Sequence, residues 1–339
     1  MTEKRYNHIN NGMGWLMFLI SAATYLLTLE PTASFWDCGE YIAQSYLMEV
    51  GHPPGNPFFA MTARFFANFA STPQQVAVCI NAMSALLSAA TILLLFWTIT
   101  HLVRRIVCGV EKPVGSGLQL LLIMGSGVAG ALAYAWSDSF WFSAVETEVY
   151  GYSSFCTALT FWLVLRWESR LGHPTADRYL VAIAYVVGLS IGVHLLKLLC
   201  VPAIALVVYY RKVKVTHWWT TFPVLVLSLA IIVFVLYGIV PGSMRLAGYL
   251  ELLMVNQLGF AYNTGVILYV VVTACASVWA VYEFYRNNSQ LRMKLSFLAV
   301  VVFSGVLMIS GENLIIPAVL LAVVAIYLFL YCKVVPRRV

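Results

Sequence analysis

Charge is what this sequence has least of. Lys and Arg total 20 and Asp and Glu 14 in 339 residues, 10% of the chain, where a soluble domain carries about 25%. Hydrophobic residues make up 61%, so a soluble fold would leave much of its apolar surface wet, and a soluble globular protein is excluded. The seven cysteines stand singly, mostly inside apolar runs, with no CxxC pair. That excludes a disulfide framework and a zinc site of the usual spacing. The period-2 alternation of a membrane β-strand is absent, which excludes a barrel. The apolar run over 14–29 lacks a small-residue cleavage site and reads as a retained anchor rather than a signal peptide.

What is present is a series of apolar runs at about 13–29, 76–100, 118–136, 150–166, 179–193, 196–210, 218–240, 265–284, 295–310 and 314–332. They predict an all-α polytopic membrane protein of about ten transmembrane helices. The two runs at 179–193 and 196–210 are short, with His194 and Lys197 between them, and predict a hairpin of two short helices. With the N-terminus inside, 17 of the 20 basic residues fall on the inner side, leaving Arg64, Arg245 and Lys197. The positive-inside rule therefore places both ends of the chain in the cytoplasm. Topology also explains the net charge of +6, so nucleic acid is not needed as a partner.

The acidic residues gather instead on the opposite side, in loops at about 30–75, 137–149 and 241–264, with Glu312 beyond them. In the first loop, Asp37 and Glu40 are three apart and share a helix face. Phe35, Trp36 and Tyr41 surround them, which predicts that at least one acid is half-buried and a better proton acceptor. Gly51-His52-Pro53-Pro54-Gly55 predicts an extended turn that aims His52 back at the pair. Asn56-Pro57 then opens a second, aromatic helix carrying Arg64, of the kind that lies in the membrane interface. The second loop places Glu146 and Glu148 beside Tyr150. In the third, Glu251 and Asn256 sit on another interfacial helix and read as structural, with shaping of an acceptor groove as the alternative.

These residue types fit glycosyl transfer, the chemistry that the family resemblance of the stretches quoted next implies. A Ser or Thr hydroxyl is a weak nucleophile and needs a positioned carboxylate to take its proton. A lipid phosphate leaving group needs cationic or hydrogen-bonding partners, for which His52, Arg64, His194, Lys197 and Arg245 are the candidates. A single direct displacement inverts the anomeric carbon.

The stretches FWDCGEYIA, GHPPGNPF, VAVCINAMSALLSAATILLLF and WFSAVETEVYGYSSF, followed by GLSIGVHLLKLL and AGYLELLMVNQLGFAYNTG, resemble the bacterial protein O-mannosyltransferase-like family (glycosyltransferase family 117). Human relatives of that family are membrane protein O-mannosyltransferases. The resemblance covers most of 14–265 and implies a C-type glycosyltransferase fold with interfacial helices in the first outer loop. It also implies a bacterial inner-membrane enzyme that takes a mannose-like sugar from a polyprenyl-phosphate donor to a periplasmic protein, with its active site facing the periplasm. The family's essential first-loop acid falls on Asp37, with Glu40 beside it. Glu146, Glu148 and Tyr150 then position donor or acceptor. No tightly bound cofactor is implied; a divalent metal is not expected, though four outer acids leave it open. Lys197 stands where relatives are expected to carry a polar amide. Residues 1–265 form the expected catalytic membrane module and 266–339 additional helices of a truncated chain. The rival readings are a transporter or lipid-linked sugar flippase, for which short broken helices with intramembrane charge are a signature, and a non-catalytic subunit of an envelope complex. Convergence of Asp37 and Glu146 on an outer cleft favours an enzyme; convergence of polar groups at the midplane favours a carrier.

Overall fold

A computed structural model describes residues 1–110, 112–173, 175–213, 217–286, 289–308 and 322. Among them secondary structure is entirely helical. Nine of the ten apolar runs hold helix over most of their length among the described residues; apart from residue 322, the run at 314–332 lies outside them, as does Glu312. The chain divides into two compact units, Met1–Thr216 and His217–Val339.

In the first unit, α1 (Glu3–Leu27), α4 (Gln75–Cys108), α5 (Gly117–Ala135) and α7 (Val149–Glu168) are the long helices. Short helices α2 (Cys38–Leu47), α3 (Pro57–Ala67) and α6 (Asp138–Val145) lie in the connections between them, and α8 (Asp177–Ile191) and α9 (Cys200–Lys212) close the unit. At 34 residues α4 is about 51 Å long, and α1, α5 and α7 all pack on it. Small residues allow that approach: a Cβ on Gly127 of α5 would stand 2.6 Å from Thr100 Cγ2 of α4, which is how helices pack where water supplies no drive. Tyr25, Ala85, Ala89, Phe96 and Ile123 fill the core between α1, α4 and α5. Tyr41, Phe59, Ile80, Met83 and Val149 fill a second core beneath α2 and α3.

Among the described residues, four helices are long and apolar enough to cross a membrane: Gln75–Cys108, Gly117–Ala135, Trp218–Gln257 and Thr264–Arg286. Arg178–Ile191 is a shorter apolar helix. Although α1 spans 25 residues, it begins at Glu3, so the polar segment EKRYNHINN is part of the helix.

In the second unit, α10 (Thr221–Phe234), α11 (Val240–Leu252), α12 (Thr264–Arg286) and α13 (Gln290–Phe303) follow one another. The segment 241–264, expected to carry another interfacial helix, is helical as far as Gln257, because helix runs unbroken from Trp218 to Gln257. Proline has no N–H to donate and crowds the preceding turn, yet Pro241 follows a π turn at Val235–Ile239. A widened turn absorbs such a defect without ending the helix. Asn256 lies in a second π turn at Leu253–Gln257. The carboxylate of Glu251 accepts the backbone N–H groups of Asn263 (2.6 Å), Gly265 (2.8 Å) and Val266 (3.1 Å). It thereby caps the free N–H groups at the start of α12.

Candidate active site

The first loop builds the site from α2 outward. Cys38, Tyr41, Gln44 and Ser45 form the buried face of that helix, which turns Asp37 and Glu40 outward. Both acids are exposed. The expected half-burial among aromatics is thus corrected: Phe35 is 80% and Trp36 89% exposed. Trp36 adopts φ +60°, so the chain turns sharply just before the helix and throws its ring outward. Asp37 takes the N-cap position but makes no side-chain capping bond, which leaves its carboxylate available.

The Gly51–Gly55 turn returns as its prolines dictate. Glu40 Oε1 accepts the main-chain N–H of His52 at 2.8 Å and lies 3.1 Å from His52 Nδ1. The main-chain bond, and then the ring, hold the Glu40 carboxyl below its ordinary range. A Cβ at 51 would stand 1.6 Å from Gln44 Oε1, so a larger residue there would have to displace the Gln44 amide. Gln44 Nε2 donates to Asn56 Oδ1 at 2.8 Å, buried, and Pro57 then begins α3. The next free N–H groups, those of Phe58 and Phe59, donate to the Gly192 carbonyl at 2.8 and 3.1 Å. The break after α8 is therefore fastened to the start of α3.

The second loop is tied to the first through Asn81 of α4. Its Nδ2 donates to the carbonyls of Glu30 (2.7 Å) and Thr32 (3.1 Å), and its Oδ1 accepts the Thr147 hydroxyl. Asn81 is fully buried. Sequence reasoning passed over it, although a lone amide in an apolar helix is itself a signal. Thr147 lies between the two buried acids, Glu146 (4% exposed) and Glu148 (6%). Burial, and then the charge of Glu146, push the Glu148 carboxyl up to about 7. Burial also raises Glu146, against a hydrogen bond from Ser34 that lowers it. Glu146 Oε2 has no partner among the described residues.

Asp37 and His52 both act on Glu148 electrostatically. The Tyr41 phenol is raised by burial and then by Glu148, Asp37, Tyr150 and Glu40. Acids from both loops therefore converge around Tyr41. Tyr41 also packs on His52, their ring centroids 5.8 Å apart. Asp37, Glu40 and His52 each offer one ligand atom, all within 4.8 Å of one another, so they are the residues able to hold a divalent ion here. Among the described residues, none of the four acids pairs with Lys or Arg.

The other candidate residues are placed differently. Tyr150 packs on His194 with the rings tilted and their centroids 5.5 Å apart, and His194 Nδ1 accepts the Leu196 N–H at 3.2 Å. Its Nε2 therefore carries the proton of the neutral ring. Arg64 donates to the Tyr46 carbonyl at 2.7 Å and lies over the Tyr46 ring, at the far end of α2 from Asp37. Lys197 is 1% exposed, and its ammonium donates to the Cys156 carbonyl and to Thr160 Oγ1 (2.7 Å). In the second unit, Arg245 donates to the Met308 carbonyl at 2.9 Å.

Fold and site together define an all-helical, multi-pass membrane protein with an acidic cluster assembled from two connecting loops. The chain belongs to the family described as the protein O-mannosyl-transferase TMEM260 N-terminal domain, whose model matches residues 37–217 and so begins on the first acid of the cluster. Among curated proteins it is 24% identical over 199 residues to protein O-mannosyl-transferase tmem260 of Dictyostelium discoideum, covering 55% of this chain and 22% of that protein. It is 26% identical over 175 residues to protein O-mannosyl-transferase TMEM260 of Mus musculus, covering 52% of this chain and 22% of that one. The matched region thus spans about a fifth of the length of either relative. No solved structure matches.

Proposed function

We propose that this chain is the membrane-embedded part of a protein O-mannosyltransferase of the C-type superfamily, in glycosyltransferase family 117. In this reading it moves a mannose-like sugar from a polyprenyl-phosphate donor to a Ser or Thr hydroxyl of a periplasmic protein. Residues 1–265 form the catalytic module and 266–339 add further helices to a ten-pass bundle in a bacterial inner membrane, both ends of the chain being cytoplasmic. One observation carries the reading: the two acid-bearing loops are tied together through Asn81 and packed where Tyr41 and Val149 share a core, with Glu148 buried and Asp37 exposed.

Asp37 is the general base. Its carboxylate takes the acceptor hydroxyl proton as that oxygen attacks the anomeric carbon, while the bond from that carbon to the phosphate oxygen breaks. Polyprenyl phosphate leaves with the bonding pair, and the anomeric centre inverts. Glu40 orients His52, which stands nearest the reacting groups and donates to the phosphate. Arg64 and His194 are assigned to the donor's charged head. Glu146, Glu148 and Tyr150 position the acceptor. The chemistry needs no tightly bound metal.

The break between α8 and α9, with Lys197 in it, is the observation that favours a carrier or flippase instead. Against that reading, the Lys197 ammonium is engaged by α7 and the acids gather in the loops. Mass spectrometry of envelope glycopeptides, with and without the gene, tests the proposal. Hexose on Ser or Thr should vanish with the gene; its persistence would overturn the assignment.

A further inference from the structure

Among the described residues, Lys197 is the only buried Lys or Arg, and no acid pairs with it. A charge taken out of water without a counter-ion is costly, and an ionisable residue kept in a membrane protein under those terms points to function. The ammonium is held instead by one face of α7, where Cys156 and Thr160 stand four residues apart. It donates to the Cys156 carbonyl and to Thr160 Oγ1, the latter at 2.7 Å. The Thr160 hydroxyl proton is spent on the same Cys156 carbonyl at 2.9 Å, which leaves the lone pairs of its oxygen to accept from Lys197.

What this clamp holds is the break between α8 and α9. Because α8 stops at Ile191, the Gly192 carbonyl is released from helix bonding and accepts the Phe58 and Phe59 N–H groups of α3. The two chains touch there: a Cβ on Gly192 would stand 2.9 Å from Phe58 Cβ. Val193, 1% exposed, fills the same core as Tyr41 and Phe59. His194 opens the 3-10 turn Leu195–Leu199, which contains Lys197. Such a turn has poorer hydrogen bonds than an α-helix, and here the Lys197 N–H reaches the His194 carbonyl only at 3.4 Å. The backbone of the break is therefore weakly held by itself, and the Lys197 side chain supplies the missing anchor.

We propose that Lys197 is a positioning residue: by clamping the break to α7 it keeps the Gly192 carbonyl on the start of α3 and His194 against Tyr150. It acts through those groups and does not touch the donor. Its effect on sugar transfer rests on the reaction assigned above, whereas its effect on the packing of α3 does not.

Lys197→Met in the purified full chain tests this. Methionine has nearly the reach of lysine, and an apolar group of similar volume often replaces a buried charge without loss of stability, so the variant should fold. By hydrogen exchange and mass spectrometry, the Phe58 and Phe59 amides should exchange at least about tenfold faster than in the unsubstituted chain, with the middle of α4 unchanged. Thr160→Val removes only the acceptor on α7; it should loosen the same two amides and keeps the test valid if Lys197→Met fails to fold. In transfer assays Lys197→Met should raise the donor KM about tenfold with kcat within about twofold, and adding it to His194→Ala should cost little more than His194→Ala alone. Unchanged exchange at Phe58 and Phe59 in both variants would overturn the proposal, as would faster exchange throughout the first unit. Fully additive losses with His194→Ala would overturn it too, because Lys197 would then meet the donor itself. If the unsubstituted chain transfers no sugar, the assigned reaction fails and the exchange result alone decides the role of Lys197.

Discussion

Glu40 Oε1 receives the main-chain N–H of His52 at 2.8 Å and faces its ring Nδ1 at 3.1 Å. This one oxygen closes the Gly51–Gly55 turn onto α2 and brings His52 to the acids. It also bears on metal dependence. Asp37, Glu40 and His52 form a possible ligand set, but hard cations want a fuller oxygen shell, and Glu40 already takes hydrogen bonds from His52. Glycosyl transfer by the purified full-length enzyme is expected to persist in excess EDTA. Activity abolished by the chelator and restored by magnesium or manganese would contradict this and recast the three residues as ligands.

Glu148 predicts a pH-dependent stability. Its carboxyl stands at about 7 in the fold against an ordinary value of 4.5, so the folded protein holds this proton where the unfolded chain has lost it. Ionising it in place therefore costs stability progressively as pH rises from about 4.5 to 7, and the full cost stands above 7. Glu148→Gln should raise the Tm by a few degrees at pH 8 and hardly at all at pH 4. An equal gain at both values would show that the buried charge is not the cause.

Asn81 predicts coupling between the loops. In Asn81→Leu the carbonyls of Glu30 and Thr32 lose their donor and the Thr147 hydroxyl its acceptor. Buried groups stranded in this way cost about 2–4 kcal/mol in total. The variant should lose thermal stability and transfer activity while keeping its helix content by circular dichroism. A stable, fully active Asn81→Leu would mean that the two loops hold their places without it.

The acids and the turn were legible because charge, proline and glycine stand out in an apolar chain. His52 turns back onto Glu40, as the glycines and prolines of 51–55 suggested. Which acids are buried was not legible. For Asp37 and Glu40 that depends on the rotation of α2, which is set by tertiary packing of Cys38, Tyr41 and Ser45 and not by composition. The passage of helix through Pro241 depends on a π turn, which has no sequence period of its own. The polar segment EKRYNHINN precedes the first apolar run, yet it is helical and lines a cleft, because its partners on α4 and α7 lie far along the chain.

The most direct test of the central claim, that Asp37 is the base of a sugar transfer, is the turnover of Asp37→Asn with polyprenyl-phosphate mannose and an acceptor peptide. Asparagine keeps the shape and hydrogen bonding of the side chain and removes only its capacity to take a proton. Asp37 is exposed and makes no capping bond, so the variant should insert and fold normally. Turnover is predicted to fall by roughly 10²–10⁴-fold with donor binding intact. Near-normal turnover in a correctly inserted Asp37→Asn protein would contradict the account and move the role of base to another acid of the cluster.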